Sequence, residues 1–310
     1  MYRLIPLLLL FTITLSHADM PPVLDSARQT MTEYFHDLLH TIDDTIDCEA
    51  NCTHPEIERV RANKLHLITS LQSTENHRLS LSLNLRGNIY LPKLSKKFRI
   101  TFTKQSNTQQ INREVDRENE NLITDNKLRI GVQYIITSTK KVEFFTRLGI
   151  RLRNPLDFYQ EVSARKTFAL YKEYGLLTKG SLYYYITHLY LAKSLQFTFF
   201  KPLSERYYLT QGNEWYSNSD NRHERHLVNY LKLHQHLDLR NHLEYWITYA
   251  SLAQNSTSYK EDWHALSLSY IHHFSKWYYL RITPRLVQKR EHRFRTQYEA
   301  TLSFGMILGK

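Results

Sequence analysis

From about residue 63 to the end of the chain, apolar and polar positions alternate. Leu79, Leu81, Leu83 and Leu85 alternate with Ser80, Ser82, Asn84 and Arg86. Leu128, Ile130, Val132 and Tyr134 alternate with Arg129, Gly131 and Gln133, and Val142, Phe144, Thr146 and Leu148 lie opposite Arg147, Arg151 and Arg153. In the last segment Tyr298, Ala300, Leu302, Phe304, Met306 and Leu308 alternate with Gln297, Glu299, Thr301 and Ser303. A period of two places each set on its own face of an extended strand. About fourteen such segments are predicted: 63–73, 77–91, 95–105, 127–138, 141–153, 157–170, 175–186, 188–201, 205–217, 224–237, 242–253, 262–274, 277–289 and 294–308. Strands of soluble sheets average about five or six residues, whereas crossing the hydrocarbon of a membrane takes roughly 9–11. The lengths therefore select an all-β, transmembrane, antiparallel up-and-down barrel of about fourteen strands, with twelve as the alternative count.

The connections agree with that choice. Counted from the first segment, even-to-odd joins are short, as at Pro92-Lys93-Leu94, Thr139-Lys140 and Ser275-Lys276. Odd-to-even joins include the long ones, 106–126, 218–223 and 254–261. Short periplasmic turns and longer external loops are the habit of outer-membrane barrels. Tyr183-Tyr184-Tyr185, Trp215-Tyr216 and Trp277-Tyr278-Tyr279 fall near strand ends, where aromatic girdles are expected.

Ahead of the strands the period changes. Met31, Phe35, Leu38, Leu39, Ile42 and Ile46 recur at helical spacing after Pro21-Pro22, with Asp25 placed to cap the start. Residues 19–58 thus form an acidic amphipathic segment, either periplasmic or a plug, between residues 1–18 and a barrel over 59–310. Residues 1–18 read as a signal peptide: a basic start at Arg3, an apolar run from Leu4 to Leu15, and Ser16-His17-Ala18 before Asp19. The mature chain has no other apolar run long enough for a spanning helix.

Charge sharpens the division. The 310 residues hold 41 Lys+Arg and 30 Asp+Glu. Residues 19–58 carry −9, their one base being Arg28, and residues 59–310 carry +19. Ten bases fall on the polar faces of predicted strands: Arg86, Arg99, Arg129, Arg147, Arg151, Arg153, Lys232, Arg281, Arg285 and Arg295. In a barrel that face is the lumen, because a lipid-facing charge costs about 2–4 kcal/mol at mid-membrane. Such a ladder favours anions; the competing arrangement pairs it with Glu143, Glu161, Glu244 and Glu299. Interleaved charge of this kind is a poor nucleic-acid surface. With 8 Gly and no phosphate-binding loop, no nucleotide cofactor is implied, and none of any kind is expected.

The segment Leu85-Arg-Gly-Asn-Ile-Tyr-Leu-Pro-Lys-Leu-Ser-Lys-Lys-Phe-Arg-Ile-Thr-Phe102 resembles a family of uncharacterised proteobacterial outer-membrane β-barrel proteins, as does Trp277-Tyr-Tyr-Leu-Arg-Ile-Thr-Pro284 leading to Phe304-Gly305. The resemblance covers most of 60–310. It implies a barrel in the outer membrane of a Gram-negative bacterium and supplies no catalytic residue, while the short even-to-odd joins put the expected N-terminus in the periplasm. The final strand departs from the barrel habit of ending on an aromatic residue, closing instead on Ile307-Leu308-Gly309-Lys310.

Three smaller features bear on chemistry. Cys48 and Cys52 in an exported chain read as a disulfide, with free thiols or a metal as the other readings. His234 and His236 share a strand face, with His242 opening the next strand, a spacing that can grip a metal but also suits a polar lining. Trp215-Tyr216-Ser217-Asn218 carries the Ser-Asn of outer-membrane phospholipases, yet Trp215 stands where the histidine is needed, and a serine without a base is no nucleophile. The expected function is a passive channel or transporter with a basic, anion-favouring lumen. An outer-membrane enzyme acting on lipid, or an assembly barrel with a periplasmic partner-binding arm, are the alternatives. Expected partners are outer-membrane lipids, the barrel assembly machinery, small anionic solutes and a periplasmic protein.

Overall fold

A computed structural model describes residues 25–26, 28–34, 37, 64–75, 79–90, 98–104, 128–138, 142–152, 156–170, 174–219, 224–254 and 258–308. The signal segment, Cys48, Cys52 and Arg153 lie outside the described residues. Fourteen strands follow one another: β1 (Lys64–Thr74), β2 (Leu79–Tyr90), β3 (Phe98–Lys104), β4 (Leu128–Ser138), β5 (Val142–Arg151), β6 (Asp157–Ala169), β7 (Gly175–Tyr185), β8 (Tyr190–Pro202), β9 (Tyr207–Asn218), β10 (Arg225–His236), β11 (Asn241–Ala253), β12 (Lys260–His273), β13 (Tyr278–Lys289) and β14 (Thr296–Leu308). Each pairs antiparallel with its sequence neighbours, and β1 closes the barrel on β14 from Leu65 opposite Leu308 to Thr74 opposite Glu299. Closure removes every free sheet edge, as hydrocarbon requires of a spanning sheet. The described part of β3 has 7 residues, and positions 95–97 and 105 of the segment expected there lie outside the described residues.

Burial is inverted relative to a soluble fold. Leu79, Leu81 and Leu83 on β2, Leu148 on β5, Leu182 on β7 and Ile247 on β11 are exposed. Their polar neighbours Asn84, Arg151, Ser181 and Thr248, on the opposite faces of those strands, are buried. An apolar band turned outward and a polar set turned inward is what a lipid solvent selects. The alternation also divides the aromatic pairs that the sequence assigns wholesale to girdles. Tyr184 is exposed, but Tyr183, Tyr185, Tyr216 and Tyr279 are buried on inward positions, so half of these rings line the interior.

Glycine makes room for those rings. Gly212 faces Tyr230 across the β9–β10 ladder, and a Cβ there would lie 2.1 Å from the ring. Gly305 stands in the same relation to Tyr279 across β13–β14, again at 2.1 Å. The tyrosine rings therefore lie flat on the backbone of the adjoining strand.

The turns at one end are tight. Between β10 and β11, Asp238 Oδ1 accepts the N–H groups of Arg240 and Asn241 at 2.7 and 2.8 Å, and Oδ2 accepts the Asn241 side-chain amide at 2.7 Å. Those bonds, the Asn241 side chain's first, hold the Asp238 carboxyl below its usual range. At the opposite end a 3₁₀ turn, Arg290–His292, links β13 to β14. Ahead of the barrel, residues 25–26, 28–34 and 37 are helical.

Candidate functional site in the barrel interior

Eight of the ten ladder bases sit on inward positions: Arg86, Arg99, Arg129, Arg147, Arg151, Lys232, Arg281 and Arg285. Arg295 does not: the strand begins only at Thr296, leaving Arg295 exposed in the 290–295 connection. Arg165 and Lys179 are inward as well, and sequence reasoning overlooked both. The parity that turns Glu161 inward on β6 does the same for Arg165, so the signal was present.

Carboxylates meet these bases in a pattern set by strand register. Arg147 faces Glu161 across β5–β6, 3.1 Å apart, and on the same ladder Arg165 faces Glu143 at 2.6 Å and Arg151 pairs with Asp157. Arg285 faces Glu299 across β13–β14 at 3.1 Å. Two further pairs skip one strand: Arg99 on β3 reaches Glu143 on β5 at 2.9 Å, and Arg281 on β13 approaches Glu244 on β11 to 4.0 Å. Each of these contacts runs around the wall between near neighbours. Long side chains held this way lie along the sheet instead of projecting across the bore.

Glu244 anchors the densest group. Its carboxylate lies 2.7 Å from Lys232 Nζ and 3.1 Å from His234 Nδ1 as ion pairs, and the Trp246 indole N–H approaches it at 3.4 Å. Lys232 also stands 4.4 Å from the centroid of the Trp246 ring. Trp246 packs with Tyr230, Ala265 and Val287 into an apolar patch on the interior wall.

Nearer the long-loop end, Arg129 has a different environment. Its guanidinium donates to the Tyr185 hydroxyl at 3.0 Å and lies within 5.6, 5.8 and 6.0 Å of the rings of Tyr159, Tyr183 and Tyr185. Arg151 also stacks on Tyr185, at 4.3 Å, and donates to the Tyr190 hydroxyl at 2.9 Å. Tyrosine faces attract cations through the ring quadrupole, so this wall holds positive charge with aromatic rather than anionic partners around Arg129.

At the short-turn end the histidines converge. His236 Nδ1 and His242 Nδ1 are 2.8 Å apart, and the His242 and His273 rings are 5.3 Å apart. A contact of that length between two Nδ1 atoms is a hydrogen bond, one imidazole donating and the other accepting. His234 turns instead to Glu244. Among the described residues no group of three or more His, Cys, Asp or Glu is arranged to hold a metal ion.

Outer-membrane proteins are among the solved structures similar to this chain. A loop-deletion mutant of OmpT, an outer membrane protein of Vibrio cholerae, matches at a TM-score of 0.51 and 11% identity, covering 79% of this chain and 98% of that one. The outer membrane channel DcaP of Acinetobacter baumannii gives 0.48 at 7% identity, over 79% and 96% of the two chains. The KdgM porin in complex with oligogalacturonate gives 0.37 at 8% identity, over 78% and 98%. No protein-family model and no curated protein matches the sequence. At such low identity the likeness is one of fold, and the fold is that of outer-membrane β-barrel proteins.

Proposed function

We propose that this protein is a passive outer-membrane channel whose interior favours small anions. One observation carries the reading: a closed barrel presents a polar, base-rich wall inward, with its charged side chains held along that wall. Fourteen strands enclose more space than the eight whose side chains fill a barrel. The inward bases named above, with Arg86, Arg129 and Lys179 among them, outnumber the inward carboxylates Glu143, Asp157, Glu161, Glu214, Glu244 and Glu299. The residual positive potential draws anions into the bore and slows cations. The orientation is the one that barrels adopt, with short turns and the N-terminus periplasmic and the long connections outside.

The test is electrical. Full-length protein refolded into a planar bilayer should give discrete conductance steps, with a reversal potential in a KCl gradient on the anion-selective side. Arg129→Gln should lower the anion-to-cation permeability ratio by roughly twofold, because a fixed interior charge is removed without breaking an ion pair to a carboxylate. A silent bilayer, or a cation-selective wild type, would overturn the reading.

A further inference from the structure

We propose that the N-terminal helical segment is an external strap, docked on the outward face of β13 at the short-turn end beside the β14–β1 closure, and not a plug in the lumen. The first observation is a break in the lipid-facing pattern. On β13 and β14 the outward positions are exposed toward the long-loop end, as at Leu286 and at its register partner Tyr298, which is 45% exposed. Toward the other end the same faces are covered: Tyr278 is only 2% exposed, and Ile282 and Leu308 are buried. Strand parity turns these three outward, so their covering lies outside the barrel.

The second observation identifies the cover. Arg28 places its guanidinium 4.8 Å from the centroid of the Trp277 ring and lies beside Tyr278. Asp25 steadies that guanidinium from one turn earlier, at 3.3 Å. Thr32, four residues on and so on the same helix face, is buried, while Met31, Glu33, Tyr34 and Asp37 are exposed. The helix thus turns Arg28 and Thr32 to the barrel, leaves Met31 and Tyr34 for lipid, and keeps Glu33 and Asp37 for water. That division suits a helix lying in the plane of a membrane interface.

Charge explains why the contact is made here. Opposite signs would send an acidic helix toward the lumen arginines, but those arginines already meet Glu143, Asp157, Glu161 and Glu299. Entry would also strip water from the ten carboxylates of residues 19–58, a desolvation cost that pairing with the remaining bases would have to offset. The single base of residues 19–58 instead meets the aromatic pair Trp277 and Tyr278, where a cation is welcome.

A photocrosslinking residue tests the placement without relying on channel activity. p-Benzoylphenylalanine is placed at Thr32 and, separately, at Asp25 in the full-length protein in cells, with folding checked by heat-modifiable migration. Irradiation should join at least one position to the peptide spanning 275–284 of the same chain, and Arg28→Glu should lower that yield at least threefold. Products on inward residues of β4–β9, products only with other proteins, or no intramolecular product from either folded variant would each overturn the strap. If the barrel conducts, deleting residues 19–58 should leave the unit conductance unchanged, and a rise would mark a plug. A barrel that conducts nothing would sink the channel reading alone, because the crosslinks are read independently.

Discussion

The charge cluster around Glu244 is held out of water, and that statement can be measured. The Glu244 carboxylate is buried, and so is Lys232, whose ammonium lies 2.7 Å away. His234 at 3.1 Å and Arg281 at 4.0 Å add to the positive side. Glu244→Gln keeps the shape and deletes the charge, leaving the Lys232 ammonium shielded from solvent and without its closest counter-ion. Breaking a buried pair from one side costs about 3–5 kcal/mol. At roughly 2 kcal/mol per molar of urea, that moves an unfolding midpoint down by about 1.5–2.5 M. Lys232→Met removes that buried ammonium and keeps a stem of similar shape over Trp246, so the double variant should recover half or more of the loss. The assay is urea unfolding of the four proteins in one lipid, followed by tryptophan fluorescence and heat-modifiable migration, and read as a double-mutant cycle. Had the cluster been hydrated by lumen water, the pair would behave like a surface salt bridge worth under about 1 kcal/mol. A loss that small in Glu244→Gln, with no recovery in the double variant, would refute the account of a Glu244 cluster that is pinned and dry.

Two other outcomes are expected. Gly212→Val places side-chain atoms where the Tyr230 ring now lies on the β9 backbone, 2.1 Å from the position of a Cβ. Overpacking at such a site costs about 1–3 kcal/mol, so the urea midpoint should fall, and Gly212→Val combined with Tyr230→Ala should lose less than the separate losses added together. Asp238→Ala removes the acceptor for Arg240, Asn241 and the Asn241 amide. Because these bonds hold the Asp238 carboxyl below its usual range, its stabilisation is full above the unfolded-state value of about 3.9 and is lost as pH falls through the folded-state value. The variant should therefore be less stable than wild type at neutral pH, and the gap should close in strong acid.

How much of this could be read from the sequence depends on what sets each feature. The strands were legible because lipid outside and water inside enforce alternation along every one. That alternation is dense enough to fix the count and most boundaries to within a few residues. Arg295 shows the limit of parity, which assigns a face only while the chain remains in the sheet. The 3₁₀ turn at Arg290–His292, with Arg293 and Phe294 at φ 52° and 57°, takes the chain out of the ladder until Thr296. Strict alternation is also enough to divide Tyr183, Tyr184 and Tyr185 between two faces. The aromatic signal at strand ends hides this, since inward and outward tyrosines are compositionally the same.

Charge pairing follows a sharper rule. Arg151 with Asp157, Arg147 with Glu161 and Glu143 with Arg165 are all symmetric about position 154. Once a short hairpin is centred there, the register follows from the turn, and all three ion pairs follow by arithmetic on residue numbers alone. Arg285 with Glu299 follows in the same way from a centre at 292. Arg99 with Glu143 and Arg281 with Glu244 join strands that are not adjacent, so their contact depends on stagger summed over two ladders and on side-chain length. No hairpin arithmetic yields them. The helix is further removed still, since its position depends on where inward charge has already been neutralised. Net charge argues for the lumen, whereas pairing leaves Arg28, the one base of an acidic segment, to choose the aromatic rim at Trp277 and Tyr278. A sum of charges sets the long-range field, but what a helix touches is decided by which charges remain unmatched at close range.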